Sequence, residues 1–426
     1  MNKDYRSQKK CRLCNSKKLT TVINLNSTPL ANSFLKKSEL SKKEKYYPLK
    51  VNFCNNCFHL QLSHIVKAKR MFDNYLYLTN TSKQNRDHFE QYANQVKKKI
   101  TKSKASILDI ASNDGTFLNF FNNKKFDRLG IDPAKNLSKY SKKLKIKQEV
   151  MYFTLDNSIK IKKKYGQFDI ITANHVCAHV DDLNDFFKGI PSLLDKKGMF
   201  IFEVSYLGSV IKKKSFDTIY HEHADYHSLY PLIKFVKKFN LEIFDFKIVK
   251  AQGGSIRIYV GHIDKHIVNK NKIKKKILFE KNKLKLFNTK TFKIFEKKII
   301  RVKKELNKLL NKLKNDKKSI IGYGAAAKTT TLLNYFNIKN NLIETIIDDN
   351  PLKQKKFTPG THIPIKASNH IYQFKPDYII ILAWNYSNHI IKIHSKFFNS
   401  GGKFIVPFPK IKIIKKSEKY CSIRLW

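Results

Sequence analysis

Residues 107–134 constrain this chain more than any other stretch. They begin Ile107-Leu108-Asp109-Ile110-Ala111-Ser112-Asn113-Asp114-Gly115-Thr116-Phe117 and end Gly130-Ile131-Asp132-Pro133-Ala134. An apolar run stops in a polar turn. A helix-like stretch with Phe117, Leu118, Phe120 and Phe121 follows, and a second short apolar run ends in an acid. This succession predicts strand, loop, helix and strand, the unit of an α/β sheet that takes its ligand at the carboxyl ends of its strands. Gly115 lets the backbone come close to that ligand. Asp132 falls where an acid accepts hydrogen bonds from ribose hydroxyls. The G-x-G-x-x-G spacing of dinucleotide folds is absent.

The alternation continues downstream. Phe168–Ala173 predicts a strand running into the polar turn Asn174-His175-Val176, and Ala178–Leu183 a turn into a helix. Lys196-Lys197-Gly198 turns into another strand, Met199–Val204. Strands alternating with helices predict a parallel, doubly wound sheet. In the lysine-dense stretch 265–316, Phe295, Ile299, Val302, Leu306, Leu310 and Leu313 recur at helical spacing, the mark of a long amphipathic helix. A second α/β unit starts at Ser319, where the strand-like Ile320-Ile321 enters Gly322-Tyr323-Gly324-Ala325-Ala326-Ala327-Lys328. A glycine turn at a helix start suits a phosphate or carboxylate, although tight packing explains it equally well.

The charge of this 426-residue chain invites a nucleic-acid reading, which its composition argues against. The net charge is +52, but only 8 of the 85 basic residues are Arg. Base-edge and bidentate phosphate contacts favour Arg. Lys, Asn and Ile are abundant together, as AT-rich coding produces, so the lysines are read as solvated faces and no nucleic-acid partner is expected. No run of about 18 uncharged apolar residues occurs, so no membrane span is expected. The N-terminus has no apolar signal core, and a cytoplasmic monomer is expected.

Four of the six cysteines form two pairs, Cys11-x-x-Cys14 and Cys54-x-x-Cys57. Each pair can sit on a tight knuckle, and four thiolates complete a closed tetrahedral zinc site of structural type. His59 and His64 lie nearby but are not needed. The other dense cluster is Tyr220-His221-Glu222-His223-Ala224-Asp225-Tyr226-His227, which is too polar for an ordinary core and lacks metalloprotease spacing. Histidine is tuned for proton transfer near neutral pH, and a buried Tyr can hydrogen-bond an oxyanion.

Taken in order, these motifs carry a resemblance. The D-x-A-x-x-D-G of residues 109–115 resembles the S-adenosylmethionine (SAM) loop of class I methyltransferases. The double C-x-x-C, D-I-A-S-N-D-G-T, Tyr-His-Glu-His, and G-Y-G-A-A-A-K followed by D-N-P and T-P-G-T-H-I-P resemble the three-domain SAM-dependent sugar C-methyltransferases of deoxysugar biosynthesis. The resemblance covers nearly the whole chain. It implies a small N-terminal zinc domain, a class I SAM methyltransferase core with a doubly wound α/β sheet, and a C-terminal Rossmann-like domain that helps hold a nucleotide-linked keto sugar. The expected divisions are 1–65 for zinc, 66–100 for a connector, 101–250 for the core, 251–318 for linker strands and the long helix, and 319–426 for the substrate domain.

The implied reaction methylates the carbon beside the keto group of a nucleotide-linked 4-keto deoxysugar, with dTDP as the expected nucleotide. His223 is the expected base, Glu222 and Tyr220 orient it or stabilise the oxyanion, and His221 and a connector tyrosine, Tyr75 or Tyr77, are further candidates. SAM is expected to be held by Asp109, Ala111, Ser112, Asn113, Asp114, Gly115, Asp132, Pro133, Asn174 and His175. The sugar nucleotide is expected at Gly253, Gly254, Ser255 and Arg257, and at Gly322, Tyr323, Gly324 and Lys328. Zn²⁺ belongs to Cys11, Cys14, Cys54 and Cys57. Competing readings are a zinc-module RNA or DNA methyltransferase, a non-enzymatic nucleotide-binding scaffold and an NAD oxidoreductase. The first lacks the N-P-P-aromatic turn at Asn174-His175-Val176, the second leaves the histidine cluster unexplained, and the third lacks the full glycine pattern.

Overall fold

A computed structural model describes residues 4–72, 78–81 and 83–416. The chain folds into two compact units. One comprises the chain up to Ile23, Lys50–Val210 and Glu222–Thr291; the other comprises Asn24–Leu49, Ile211–His221 and the chain from Phe292 on. The histidine cluster is therefore divided: Tyr220 and His221 belong to the second unit, Glu222 and His223 to the first.

The first unit is built on a seven-stranded sheet. Its order is Leu241–Val249, Ser255–His262, Leu194–Ser205, Phe168–Asn174, Ala105–Ile110, Phe126–Ile131 and Lys147–Glu149. Ala105–Ile110 pairs in parallel with Phe126–Ile131 on one side and with Phe168–Asn174 on the other. The strand order thus reverses beside Ile110, which opens a crevice beyond the carboxyl ends there. The sheet is not wholly parallel as expected. Ser255–His262 runs antiparallel to both of its neighbours. A short turn at residues 250–254 joins it to Leu241–Val249, too short for the crossover a parallel neighbour needs. Residues 255–262, within the segment expected to hold linker strands, form this strand of the sheet.

Side chains alternate between two cores. Leu108 and Ile110 join Leu129, Ile171, Phe200 and Phe202 on one face. Ala105 and Ile107 join Phe117, Phe126, Ile170 and Ile201 on the other. Both faces are covered, which is why these strands read as nearly continuous apolar runs. The small zinc-domain strands follow a separate pattern: Val51–Phe53 pairs antiparallel with Leu60–Leu62, and Asp225–Tyr226 pairs antiparallel with Leu60 and Gln61.

The second unit carries a six-stranded sheet in the order Ile365–Lys366, Ile346–Ile347, Ile320–Tyr323, Tyr378–Ile381, Lys403–Val406, Lys412–Ile414. All pairs are parallel except the last. The helix Thr289–Asn315 buries Phe292, Phe295, Ile299, Val302, Leu306, Leu310 and Leu313, the expected stripe extended by one residue. Among the described residues no helix is long and apolar enough to cross a membrane.

Candidate active site and metal centre

The loop after Ala105–Ile110 is wound tightly. Ala111, Asn113 and Gly115 have φ of 59°, 52° and 80°. At Gly115 a Cβ would also meet Ile146 Cδ1 at 3.0 Å and Ser141 Oγ at 3.1 Å, so glycine is required there. Asp114 Oδ1 accepts from Thr116 N and Oγ1 at 3.1 and 2.6 Å, and its other oxygen accepts from Asn80 N at 2.8 Å. Asn113 Oδ1 accepts from Thr79 N at 3.1 Å. Ser112 Oγ accepts from Gln148 Nε2 at 2.9 Å and leaves no room for a side chain at Gly130, whose Cβ would lie 2.5 Å from it. Asn113 and Asp114 thus tie the loop to residues 79–80. Tyr75 and Tyr77 lie outside the described residues.

Asp132 closes the next strand, followed by Pro133. Its carboxylate accepts from Asn113 N and from Ala134 N, both at 2.9 Å. Burial raises its pKa against those two bonds. Each oxygen keeps a lone pair for a ribose hydroxyl while the carboxylate staples two loops together. Asp132→Ala is expected to weaken SAM binding by roughly 1.5–3 kcal/mol, the range for hydrogen bonds to a charged group, as measured by calorimetry. Unchanged affinity would count against this placement.

Asp109 is buried and accepts from Thr172 Oγ1 at 2.6 Å and Asn174 Nδ2 at 3.4 Å. Burial pushes its pKa up to about 7. Asn174 Oδ1 is buried and meets no hydrogen-bond donor among the described residues. An unused acceptor beside a carboxyl, at the point where the strand order reverses, fits the cationic amino-acid end of SAM. His175 follows with φ 58°; its N donates to Glu203 O at 2.7 Å, and its Nε2 lies 3.3 Å from Glu203 Oε1.

Glu203 is the centre that sequence reasoning missed. It is wholly buried, its Oε1 is 2.8 Å from His88 Nε2, and its Oε2 accepts from Arg257 Nε at 2.9 Å. The Arg257 guanidinium lies 3.4 Å over the Tyr92 ring and also donates to Gln95. Arg257, expected at the substrate, is fully engaged in supporting this network, so its charge is already matched. Burial would raise the Glu203 pKa, but His175, His88 and Arg257 outweigh it and hold the carboxyl far below its usual range. Glu203→Gln is expected to cost roughly 3–5 kcal/mol in urea denaturation, because it leaves a buried charge unmatched. The carboxylate's stabilisation is present above the ordinary carboxylate pKa and is lost as pH falls below it, so the variant should show a flatter acid limb. The one sequence signal was a lone acid inside the apolar strand Met199–Val204.

The histidine cluster is polar but buried, contrary to the expectation that polarity excludes it from a core. Tyr220, His221, Glu222, Asp225, Tyr226 and His227 are all at most 9% exposed. In the second unit, His221 Nε2 lies 3.2 Å from Tyr47 O, with the two rings edge to face. In the first unit, His223 is half-buried and meets the edge of His179, with ring centroids 4.9 Å apart. Burial, with His175 beside it, lowers the His179 pKa to about 3, so that ring is neutral. His179 has no distinguishing spacing in the sequence; only the fold brings it to His223.

Gly253 and Gly254 take φ of 91° and 123° and turn the chain into Ser255, whose Oγ donates to Ala251 O at 3.0 Å. In the second unit, Gly322 and Gly324 pack against Leu382 and Ala383, where a Cβ would lie 2.8 and 2.5 Å away. Tyr323 OH donates to Asp349 at 2.7 Å. Asp348 accepts from Ala325 N at 2.7 Å. The protein's own carboxylate thus takes the Ala325 amide, and both glycines pack closely against residues 382–383. Lys328 stands in the first turn of Ala327–Phe336; burial lowers its pKa and the buried Asp217 carboxylate opposes this. Asp217 in turn accepts from Trp384 Nε1 at 2.6 Å.

The four knuckle sulfurs all lie within 4.8 Å of one another, with Cys11–Cys57 and Cys14–Cys54 at 3.6 Å. Tetrahedral zinc with bonds of about 2.3 Å needs sulfur–sulfur edges of about 3.8 Å, so the set fits the ion. The thiols cannot all ionise unaided. The bond from Cys57 lowers the Cys11 pKa to about 4, the same bond raises that of Cys57, and burial raises that of Cys54 to about 11. A dication among them removes the conflict. With four protein ligands the site is closed and structural.

Three family models match in tandem: a zinc binding domain over residues 11–72, a methyltransferase domain over 77–245 and a C-methyltransferase C-terminal domain over 250–409. The C-methyltransferase NovU of Streptomyces niveus is 28% identical over 405 residues, 95% of this chain and 96% of its own. Among solved structures, a SAM-dependent methyltransferase from Clostridium acetobutylicum ATCC 824 is 16% identical, covering 41% of this chain and 92% of its own, with TM-score 0.33. The PH0226 protein from Pyrococcus horikoshii OT3 is 15% identical over 46% and 97%, with TM-score 0.35. The fold and its site define a class I SAM-dependent methyltransferase with a zinc module. Within that class, the chain carries in succession the regions matched by the zinc binding, methyltransferase and C-methyltransferase C-terminal models, and over nearly its whole length it is similar to a C-methyltransferase.

Proposed function

We propose that the chain methylates the carbon beside the keto group of a nucleotide-linked 4-keto deoxysugar, with His223 as the base. The observation that carries this reading is the half-buried His223 imidazole set edge to face with the His179 ring, in the same compact unit as the loop 111–115. Carbon becomes a nucleophile only after losing a proton, and a neighbouring ketone makes that proton acidic by delocalising the charge onto oxygen. His223 takes the proton, giving an enolate, and Glu222 stabilises the imidazolium that results. SAM, when bound, supplies an electrophilic methyl group to that carbon. Asp109, Asn174 and Asp132 hold the cofactor, and the loop 111–115 supplies its backbone wall. Gly253, Gly254 and Ser255 border the sugar. dTDP is the nucleotide of the reading.

A panel of nucleotide-linked 4-keto and non-keto sugars, incubated with SAM and followed by mass spectrometry, tests this. A mass gain of one methylene on 4-keto acceptors alone is expected. Transfer to RNA instead, with no sugar product, would favour the nucleic-acid reading.

A further inference from the structure

Arg12 sits between two metal-binding cysteines, yet its side chain points away from the sulfurs. Its Nε lies 3.0 Å from both Asp225 carboxylate oxygens. Its Nη1 donates to Asp181 O at 2.9 Å and its Nη2 to Val180 O at 2.6 Å. The group is 5% exposed and Asp225 only 2%. Asp225 lies two residues after His223, and Val180 is the residue after His179. One guanidinium therefore holds the chain on both sides of the His179–His223 contact. The second knuckle joins in. His59, two residues after Cys57, places Nε2 2.8 Å from Asp225 Oδ1. Leu62 N donates to Ala224 O at 2.8 Å, and Ala224 N donates to Ala178 O at 2.7 Å.

We infer that Arg12 is a positioning residue for the proposed base, and that the zinc module sets the turnover rate by fixing the Glu222–Asp225 segment through Arg12. The inference rests on the reading of His223 as base. Its physical content is that a zinc-clamped knuckle holds its guanidinium in one place, and a planar guanidinium can serve a carboxylate and two carbonyls at once. A lysine at the same position is a point charge on a flexible stem and cannot hold all three.

Arg12→Lys tests it, with zinc content, melting temperature, kcat, KM and hydrogen–deuterium exchange measured together. The variant is expected to keep one zinc per chain and unchanged SAM affinity. Its kcat should fall by about 10²-fold, the scale of a small misplacement of a catalytic group, with little change in KM for the sugar nucleotide. Amide exchange should rise in residues 178–184 and 222–228. Wild-type kcat and protection at full zinc content would overturn the inference, as would a loss of kcat that only follows lost zinc. Should Arg12→Lys fail to fold, Asp225→Asn and chelator titration of the unmodified protein decide it. As zinc is withdrawn, residues 178–184 and 222–228 should lose protection together with the knuckles; continued protection there would overturn the inference. If the unmodified enzyme methylates no keto sugar, the functional reading fails, while the exchange measurements still decide the role of Arg12.

Discussion

His223→Asn is expected to keep SAM and sugar-nucleotide binding and to lose methyl transfer by about 10²–10⁴-fold, the usual worth of a positioned general base. Asparagine keeps most of the shape of the ring and can still donate a hydrogen bond, but it cannot take up a proton at working pH. Binding and proton abstraction use different contacts, so the loss belongs in kcat. The isolated first step gives the cleanest readout. In D₂O, with SAM omitted or replaced by an analogue lacking the methyl, the unmodified enzyme should exchange the proton on the carbon beside the ketone. The variant should not. Equal exchange rates would remove His223 as the base and point to Tyr220, His221 or a connector tyrosine. Neutral imidazole is the working form, so acidification should suppress the exchange as it protonates the ring. His179 contributes no competing titration near neutrality, because burial keeps it uncharged there.

Removing zinc is expected to have the largest effect on stability. Structural zinc in small domains contributes an apparent binding free energy of about 10–16 kcal/mol near neutral pH, and that energy is folding energy. Elemental analysis of the undenatured protein should give one zinc per chain. Cys54→Ser replaces a soft, buried thiolate in a closed set by a hard hydroxyl, so metal content and melting temperature should fall together. A zinc-free protein with an unchanged melting temperature would refute the metal assignment. The fraction of Cys54→Ser that remains folded should still bind SAM, because no cysteine of the set belongs to the loop 111–115 or to Asp132.

Parts of the fold follow directly from the chain's local chemistry. Ala105–Ile110, Phe168–Asn174 and Ile320–Tyr323 form strands where apolar runs stop at polar or glycine turns. The stripe from Phe295 to Leu313 is buried as its spacing requires. The reversed strand Ser255–His262 was not legible, because pairing direction is set by the length of the connection and the edge that remains free. Gly322-Tyr323-Gly324 read equally well as a phosphate cradle or a packing turn, and a residue more than twenty positions later, Asp348, takes the amide. Arg257 read as a substrate cation because sequence does not show which charges are already paired; Glu203 pairs it from the neighbouring strand.

By itself, the sequence determined the class of the protein. Local spacing carries the two cysteine knuckles, the strand–loop–helix unit with Gly115 and Asp132, and the Tyr-His-Glu-His segment, because metal geometry, backbone conformation and helix periodicity are short-range properties. Only the tertiary structure decided which charges and rings meet. Glu203 collects His88, His175 and Arg257 from three distant segments, and Arg12 reaches Asp225 across more than two hundred residues. Burial then sets their behaviour. A low-dielectric interior forces each charge to find a partner, holds Asp225 at about 2 through Arg12 and His59 although burial alone would raise it, and keeps His179 neutral beside His223. Those partners are chosen by sheet order and strand pairing, which residue spacing along the chain does not record.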